Sequence, residues 1–335
     1  MKADPTHRFA VAPMMDYTDR HFRRLLRLIS RHTRLYTEMV TANAIVRGKD
    51  PHRFLAFHPD EHPLTLQLGG SDPALLAESA RRAQAEGYRE INLNVGCPSD
   101  RVTSGRFGAC LMAEPDLVAA CVAAMADATG LPVTVKCRIG IDDQDAQVHL
   151  DAFVDTVAKA GCETFIVHAR KAWLKGLSPK ENREIPPLDY DRVHRLKQTY
   201  PHLRIVLNGG LPNVDAALAA IAARNGPALD GVMLGRAITD SPYLLADVDS
   251  RVFGDPTPAP DRAAVVAAYL DYATSELSRG ARKTQVLRHL VGLYRGCAGA
   301  RSWRQAVTRS MQADLPVGEL AAIATRLVTS EPLAA

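Results

Sequence analysis

Eight short β-rich segments recur along the first 240 residues, and stretches with helical periodicity separate them. They read FAVAPM (9–14), LYTEMV (35–40), LTLQLG (64–69), INLNVG (91–96), VTVKCR (133–138), TFIVHA (164–169), IVLNGG (205–210) and GVMLGR (231–236). Many of the intervening stretches, which include DPALLAESARRAQAEG (72–87) and EPDLVAACVAAMADATG (114–130), open at Asp, Ser or Pro and close at Gly, as capped helices do. Strand then helix, repeated, dictates a parallel sheet. Eight units within the ~250 residues usual for such a fold predict a closed α/β barrel, the (β/α)8 TIM barrel. An open dinucleotide-binding sheet would need G-x-G-x-x-G after a strand, and the sequence has none.

Past Arg251 the pattern changes. FGDPTPAPDR is Pro-punctuated, and helical periodicity without strands then returns over 261–279, 282–295, 302–312 and 317–328. The expected division is therefore a catalytic barrel over 1–252, a linker over 253–260 and an all-helical C-terminal domain over 261–335. Net charge is +4, but residues 1–260 hold 31 basic and 31 acidic side chains, so the whole excess lies in the helical tail. Within it Arg279, Arg282, Lys283, Arg288, Arg295, Arg301, Arg304 and Arg309 fall in a stretch free of Asp and Glu. A polyanionic partner is the natural reading, because clustered cations gain by releasing counterions from phosphates. A solvated basic helix face is the alternative.

The six cysteines (Cys97, Cys110, Cys121, Cys137, Cys162 and Cys297) form no C-x-x-C pair, and no His pair stands at zinc-finger spacing. Neither a disulfide framework nor a metal site is expected, and reducing cytoplasm fits best. No signal peptide or apolar run of ~18 residues marks the chain for a membrane.

Barrel chemistry sits at the C-terminal ends of the strands. There the sequence presents Pro13, Met14 and Met15, then Glu38, Gln67, Asn92, Asn94 and Cys97, then Lys136, His168, Asn208, Gly209, Gly210, Gly235 and Arg236. Paired glycines after the seventh strand let the backbone cradle a phosphate, and Gly235-Arg236 adds amides and a guanidinium. Lys136 and His168 suit negative charge on the N1/C2 side of a reduced isoalloxazine, and the Gln67 amide suits its pyrimidine edge, so FMN accommodates all three. Taken singly, each has a plain alternative: two ordinary glycine turns, a lysine paired with a carboxylate, a satisfied core imidazole, a structural amide. Cys97 begins a Gly-, Ser- and Arg-bearing loop, NVGCPSDRVTSGRFGACLM, where a mobile active-site loop and a proton-donating thiol are expected. The thiols of Cys110, Cys121, Cys137 and Cys162 fall on strand or helix patterns and read as packing.

The stretches PMMDYTDRHFR, TEMVTANAI, LQLGG, INLNVGCPSDRVTSGRFGACLM, VKCRIGIDD, VHARKAWLKGLSPKENREIPPL, LNGG, MLGRA and GARSWR resemble the tRNA-dihydrouridine synthases, most closely their subfamily A. The resemblance spans nearly the whole chain, with Met15, Tyr17 and Thr41-Ala42-Asn43 departing from the commoner family residues. It implies FMN as bound cofactor, NADPH as reductant and reduction of the C5–C6 bond of uridine in the tRNA D-loop, at positions 20 and 20a for this subfamily. It also implies that Pro13, Met14, Met15, Gln67, Lys136, His168, Asn208, Gly209, Gly210, Gly235 and Arg236 bind FMN. Cys97 would then protonate C5 while hydride reaches C6, and Asn94, Lys180, Arg183, Arg301 and Arg304 would contact tRNA. The partner expected is tRNA, with no DNA and no membrane, for a monomeric chain. Two rivals share parts of this signature. A flavin barrel reducing a free pyrimidine or orotate-like molecule would not need the basic tail, and a noncatalytic RNA-binding protein would not need Cys97 beside flavin-binding residues.

Overall fold

The computed structural model describes residues 5–99, 102, 105–312 and 315–329. Among the described residues nine short strands form one parallel sheet: β1 Phe9–Val11, β2 Leu35–Tyr36, β3 Val40–Thr41, β4 Leu64–Gly69, β5 Ile91–Val95, β6 Val133–Arg138, β7 Thr164–His168, β8 Arg204–Asn208 and β9 Gly231–Leu234. Neighbours run β1-β9-β8-β7-β6-β5-β4-β2, and a parallel bridge between Ala10 and Arg34 joins the two ends. Arg34 N–H donates to Phe9 O at 3.1 Å and Val11 N–H to Arg34 O at 2.9 Å, which closes the barrel. The eight-unit expectation therefore holds, with one local change. LYTEMV splits into β2 and β3, both paired with β4, because the Thr37 hydroxyl accepts the Gln67 N–H at 3.1 Å where a strand carbonyl would otherwise stand.

Side chains alternate between lumen and helix layer. On β5 the apolar Ile91, Leu93 and Val95 are fully buried towards the helices, while Asn92 and Asn94 hydrogen-bond to polar neighbours on β4 and β6. The other half of the lumen is apolar, packed by Ala10, Ala12, Tyr36, Ile166, Val206 and Met233. Around the barrel, Asp72, Asp145, Asp189 and Asn213 accept first-turn N–H groups of the helices Pro73–Glu86, Ala146–Lys159, Tyr190–Thr199 and Val214–Ile221. Near the N-terminal ends of the strands Glu90 is buried with His7 at 2.8 Å, Arg34 at 3.2 Å and Thr65 at 2.9 Å. Burial opposes its charge, but Arg34 and His7 outweigh it and hold the carboxyl below the usual range.

The chain divides into two compact units, and the division differs from the boundary at 252/253 suggested by the Pro-punctuated stretch. The first holds residues through Met15, Arg34–Phe57 and His62–Gly235; the second holds Asp16–Thr33, His58–Glu61 and Arg236 onward. Polar pairing explains why helix α1 (Arg20–Ile29) joins the C-terminal helices. Arg20 is ion-paired with Glu276, His21 bonds Tyr272 at 2.7 Å, and Asp249 accepts from Ser30 Oγ at 2.6 Å and Arg31 N–H at 2.7 Å. Asp19 caps α1 and also binds Arg288 at 2.6 Å and His289 at 2.9 Å. Within this unit Trp303, on the helix Ala300–Met311, is fully buried and donates its indole N–H to Leu290 O at 2.7 Å.

Candidate active site

A continuous line of amides crosses the lumen from β6 to the turn after β5. Asn92 Nδ2 donates to Thr134 Oγ1 at 2.9 Å, and Gln67 Nε2 donates to Asn92 Oδ1 at 2.8 Å. Asn94 Nδ2 in turn donates to Gln67 Oε1 at 2.9 Å. The line ends where Asn94 Oδ1 accepts the backbone N–H groups of Gly96 at 3.2 Å and Cys97 at 3.0 Å. Cys97 is half-buried; its carbonyl accepts from Ala109 N–H at 2.9 Å and its Sγ lies 3.5 Å from Ser99 Oγ. Residues 100, 101, 103 and 104 of the loop expected to be mobile lie outside the described residues.

Arg138, the last residue of β6, braces this turn from the other side. Its Nε donates to Gly96 O at 3.1 Å, and its Nη1 donates to Lys171 O at 3.1 Å and Asn182 O at 2.8 Å. Burial lowers its pKa to about 10, against the pull of Cys97, so it stays charged at neutral pH. Sequence reasoning passed over Arg138, although it stands two residues from Lys136 and so shares its face of the strand.

Lys136 has no carboxylate partner and no hydrogen bond to its ammonium among the described residues. Burial and the neighbouring Arg138 bring it down to about 8. His168 is buried, and burial together with Arg138, Lys136, Arg170 and Arg183 drives its pKa well below the usual imidazole range. It is therefore a neutral donor rather than a cation. The charges that act on it most strongly, Arg138, Lys136, Arg170 and Arg183, are positive, so the donor set suits an anionic ligand.

The glycine pair after β8 is demanded twice over. Gly209 has φ of 111° and Gly210 of 67°, both in the left-handed region. A Cβ on Gly209 would also stand 2.4 Å from His168 Cδ2, and one on Gly210 2.3 Å from Leu188 Cδ1. Tyr190 Oη donates to Gly209 O at 2.7 Å and Asn208 Nδ2 to Met233 O at 2.8 Å, which fixes the backbone around the pair. Gly235 is different, since a Cβ there would meet only Met14 Sδ at 3.6 Å and Ala12 Cβ at 3.7 Å. Met14 packs on the apolar half of the lumen next to half-buried Pro13, and Met15 is exposed. Arg236 is exposed and begins the helix Arg236–Asp240 of the second unit. A buried lysine with no carboxylate partner among the described residues, a neutral imidazole beside it, a glycine cradle and an amide row together fit a phosphate-bearing flavin such as FMN.

Two sequence expectations change in meaning. Gln67 is buried with its oxygen and one N–H already engaged, which leaves one N–H for a ligand. Asn94, read as a tRNA contact, is buried and spends its oxygen on the Cys97 turn. Lys180 and Arg183 are exposed on the loop after β7, Lys180 just before the 3-10 turn Glu181–Arg183 and Arg183 at its end. Arg301 and Arg304 are exposed on Ala300–Met311. In the basic run Arg279, Arg288 and Arg295 are paired with Glu276, Asp19 and Asp240, whereas Arg282, Lys283, Arg301, Arg304 and Arg309 have no ion-pair partner among the described residues. Burial pushes Cys121 and Cys137 up to about 12, as befits packing thiols. No helix among the described residues is long and apolar enough to cross a membrane, and no His, Cys, Asp or Glu cluster there could hold a metal.

Comparison with known proteins identifies the family. The family model for dihydrouridine synthase matches residues 10–327. A tRNA-dihydrouridine(20/20a) synthase of Salmonella typhimurium is 56% identical over 302 residues, covering 90% of this chain and 89% of that protein. One from Vibrio cholerae is 54% identical over 304 residues, covering 90% and 91%. Among solved structures, a 2-naphthoyl-CoA reductase in complex with 2-naphthoyl-CoA superposes with a TM-score of 0.56 at 11% identity, covering 72% of this chain and 49% of that one, a likeness of fold alone. With a family model spanning almost its whole length and relatives of this identity, the chain belongs to the dihydrouridine synthase family.

Proposed function

We propose that the protein reduces the C5–C6 double bond of uridine in the tRNA D-loop, at positions 20 and 20a, using bound FMN and NADPH as reductant. In this reading it works as a cytoplasmic monomer on tRNA rather than DNA. The activity for which its relatives are named, and the Cys97 turn beside a Lys136 that has no partner among the described residues, support it. The barrel carries the chemistry, and the helical unit binds the substrate.

When bound, FMN supplies the hydride equivalent for C6. The remaining work falls to the chain. Lys136, with His168 as neutral donor, would face the ring system and favour negative charge there, and the Gly209–Gly210 amides, Gly235 and Arg236 would hold the phosphate. Asn208 fixes that backbone, Pro13, Met14 and Met15 form the apolar ledge, and Gln67 offers its remaining N–H to the pyrimidine edge. Cys97 gives its thiol proton to C5 and recovers one from water. The target base leaves its stack to reach the barrel mouth. Lys180, Arg183, Arg301 and Arg304 neutralise tRNA phosphates, and Asn94 keeps one Nδ2 hydrogen for the base.

The test is incubation with FMN, NADPH and tRNA lacking dihydrouridine, followed by mapping of the product. Dihydrouridine at 20 and 20a is expected; product at 16 or 17 overturns the assignment of position, and equal turnover of free uridine or orotate overturns the tRNA reading. Cys97→Ala should slow uridine reduction by about 10²- to 10⁴-fold, the usual contribution of a placed general acid, while NADPH still bleaches the flavin.

A further inference from the structure

The loop after β7 carries an exposed indole on a rigid mount. Trp173 is 36% exposed, although its backbone is held as tightly as a strand residue's. Its N–H donates to Asn182 Oδ1 at 2.7 Å and its carbonyl accepts from Asn182 Nδ2 at 2.9 Å. Asn182 is completely buried, and the same Nδ2 also reaches Leu177 O at 3.1 Å. The next residue, Leu174, donates its N–H to Asp142 Oδ1 at 2.8 Å. One buried amide therefore pins both ends of the loop and leaves the ring facing water.

Three features give that ring a purpose. Trp173 shares its loop with exposed Lys175, Lys180 and Arg183 as well as exposed Glu181 and Glu184, so the segment that bears the indole is net basic. The loop hangs on the guanidinium that braces the Cys97 turn, since Arg138 binds Lys171 O, Asn182 O and Gly96 O together. Both loops leave the C-terminal ends of parallel strands, so they share one rim of the barrel. An aromatic plane among cations is how proteins hold unpaired nucleotides, because every base has a face to stack and every phosphate a charge to neutralise.

We propose that Trp173 is a stacking platform for an unpaired base of the tRNA adjoining the uridine presented to Cys97. This rests on the tRNA reading above. The bracing through Arg138 would keep the stacked base and the reacting base at a fixed separation.

Intrinsic fluorescence isolates the site, because the chain has two tryptophans and the other, Trp303, is fully buried. The flavin-loaded protein is titrated with tRNA lacking dihydrouridine while binding is followed separately by filter retention. Quenched emission is expected, with loss of acrylamide access as tRNA saturates. Trp173→Phe should still retain tRNA but show no tRNA-dependent change in emission. Trp173→Ala should raise KM for tRNA about tenfold, within the range measured for stacked bases, with a smaller effect on kcat, and Trp173→Phe should recover most of it. Retention of tRNA by the wild type with unchanged Trp emission, or an unaltered KM in Trp173→Ala, overturns the platform and leaves the tRNA reading standing. Failure to retain tRNA at all overturns both. Acrylamide protection that grows with protein concentration in the absence of RNA assigns the face to a second copy of the chain and also overturns the proposal.

Discussion

Asn94 Oδ1 accepts the backbone N–H of Cys97 at 3.0 Å while Asn94 Nδ2 donates to Gln67 Oε1 at 2.9 Å. The thiol is thus placed by a side chain from the preceding strand, whose own orientation is set by an amide row reaching Thr134. Positioning a proton donor to a fraction of an ångström matters, because a shift of about 1 Å can cost on the order of 10²-fold in rate. Asn94→Ala should slow uridine reduction by about 10- to 100-fold. It should also lower stability by about 2 kcal/mol, since Gln67 Oε1 and two N–H groups lose their partner inside the barrel. A variant with wild-type kinetics would show that the turn holds Cys97 unaided.

Lys136 carries a pH signature in the flavin-free protein. Its folded pKa of about 8 lies below the ordinary lysine value of 10.5, so between those values the unfolded chain binds more protons and stability rises with pH. Below about 8 both states are charged and the penalty of the unpaired cation is fully present. Lys136→Met should flatten the rise, stabilise the apoprotein at pH 7 and weaken flavin binding. Urea midpoints of both proteins between pH 7 and 10 check this; parallel curves would mean that the ammonium is already compensated.

Glu90 is the counter-charge on which the opposite end of the barrel depends. Its pKa is depressed, so its contribution is present above the ordinary glutamate range and is lost as pH falls through the lower native value. Glu90→Gln leaves Arg34 buried without its carboxylate and should cost about 3–5 kcal/mol at pH 7. Chemical denaturation measures the loss. The variant should also lose part of the wild type's acid sensitivity, and an identical acid limb would place that sensitivity elsewhere.

Arg301 and Arg304 are separated from the paired part of the basic run by having no acidic neighbour in contact among the described residues. Reversing both charges should raise KM for tRNA and reduce the slope of log affinity against log salt by about one per lost phosphate contact. An unchanged slope would make this helix face a solvated surface.

Much of the barrel could be read in advance because its signals are local. Alternation in INLNV and VTVKCR sets two faces within five or six residues, and Asp72, Asp145 and Asn213 cap helices through atoms two or three positions away. The glycine pair 209–210 was legible for the same reason, as its backbone conformation excludes a side chain. The division of LYTEMV was not, because it turns on the Thr37 hydroxyl accepting the N–H of Gln67, 30 residues further on.

At the proposed site, residue types suggested the chemistry, and contacts between distant residues fixed which partners each side chain has. Gln67, Lys136, His168 and Cys97 could be named from their places at strand ends. That Lys136 lacks a carboxylate partner among the described residues, that His168 is neutral, and that Asn94 holds the Cys97 turn depend on which strands lie side by side. The basic run shows the same limit, since Arg288 finds its partner in Asp19, 269 residues away. Local pattern specifies strands, caps and glycine turns because those free energies are decided within a few bonds. Charge pairing, amide direction and membership of α1 in the helical unit belong to the folded chain, where neighbours in space are strangers in sequence.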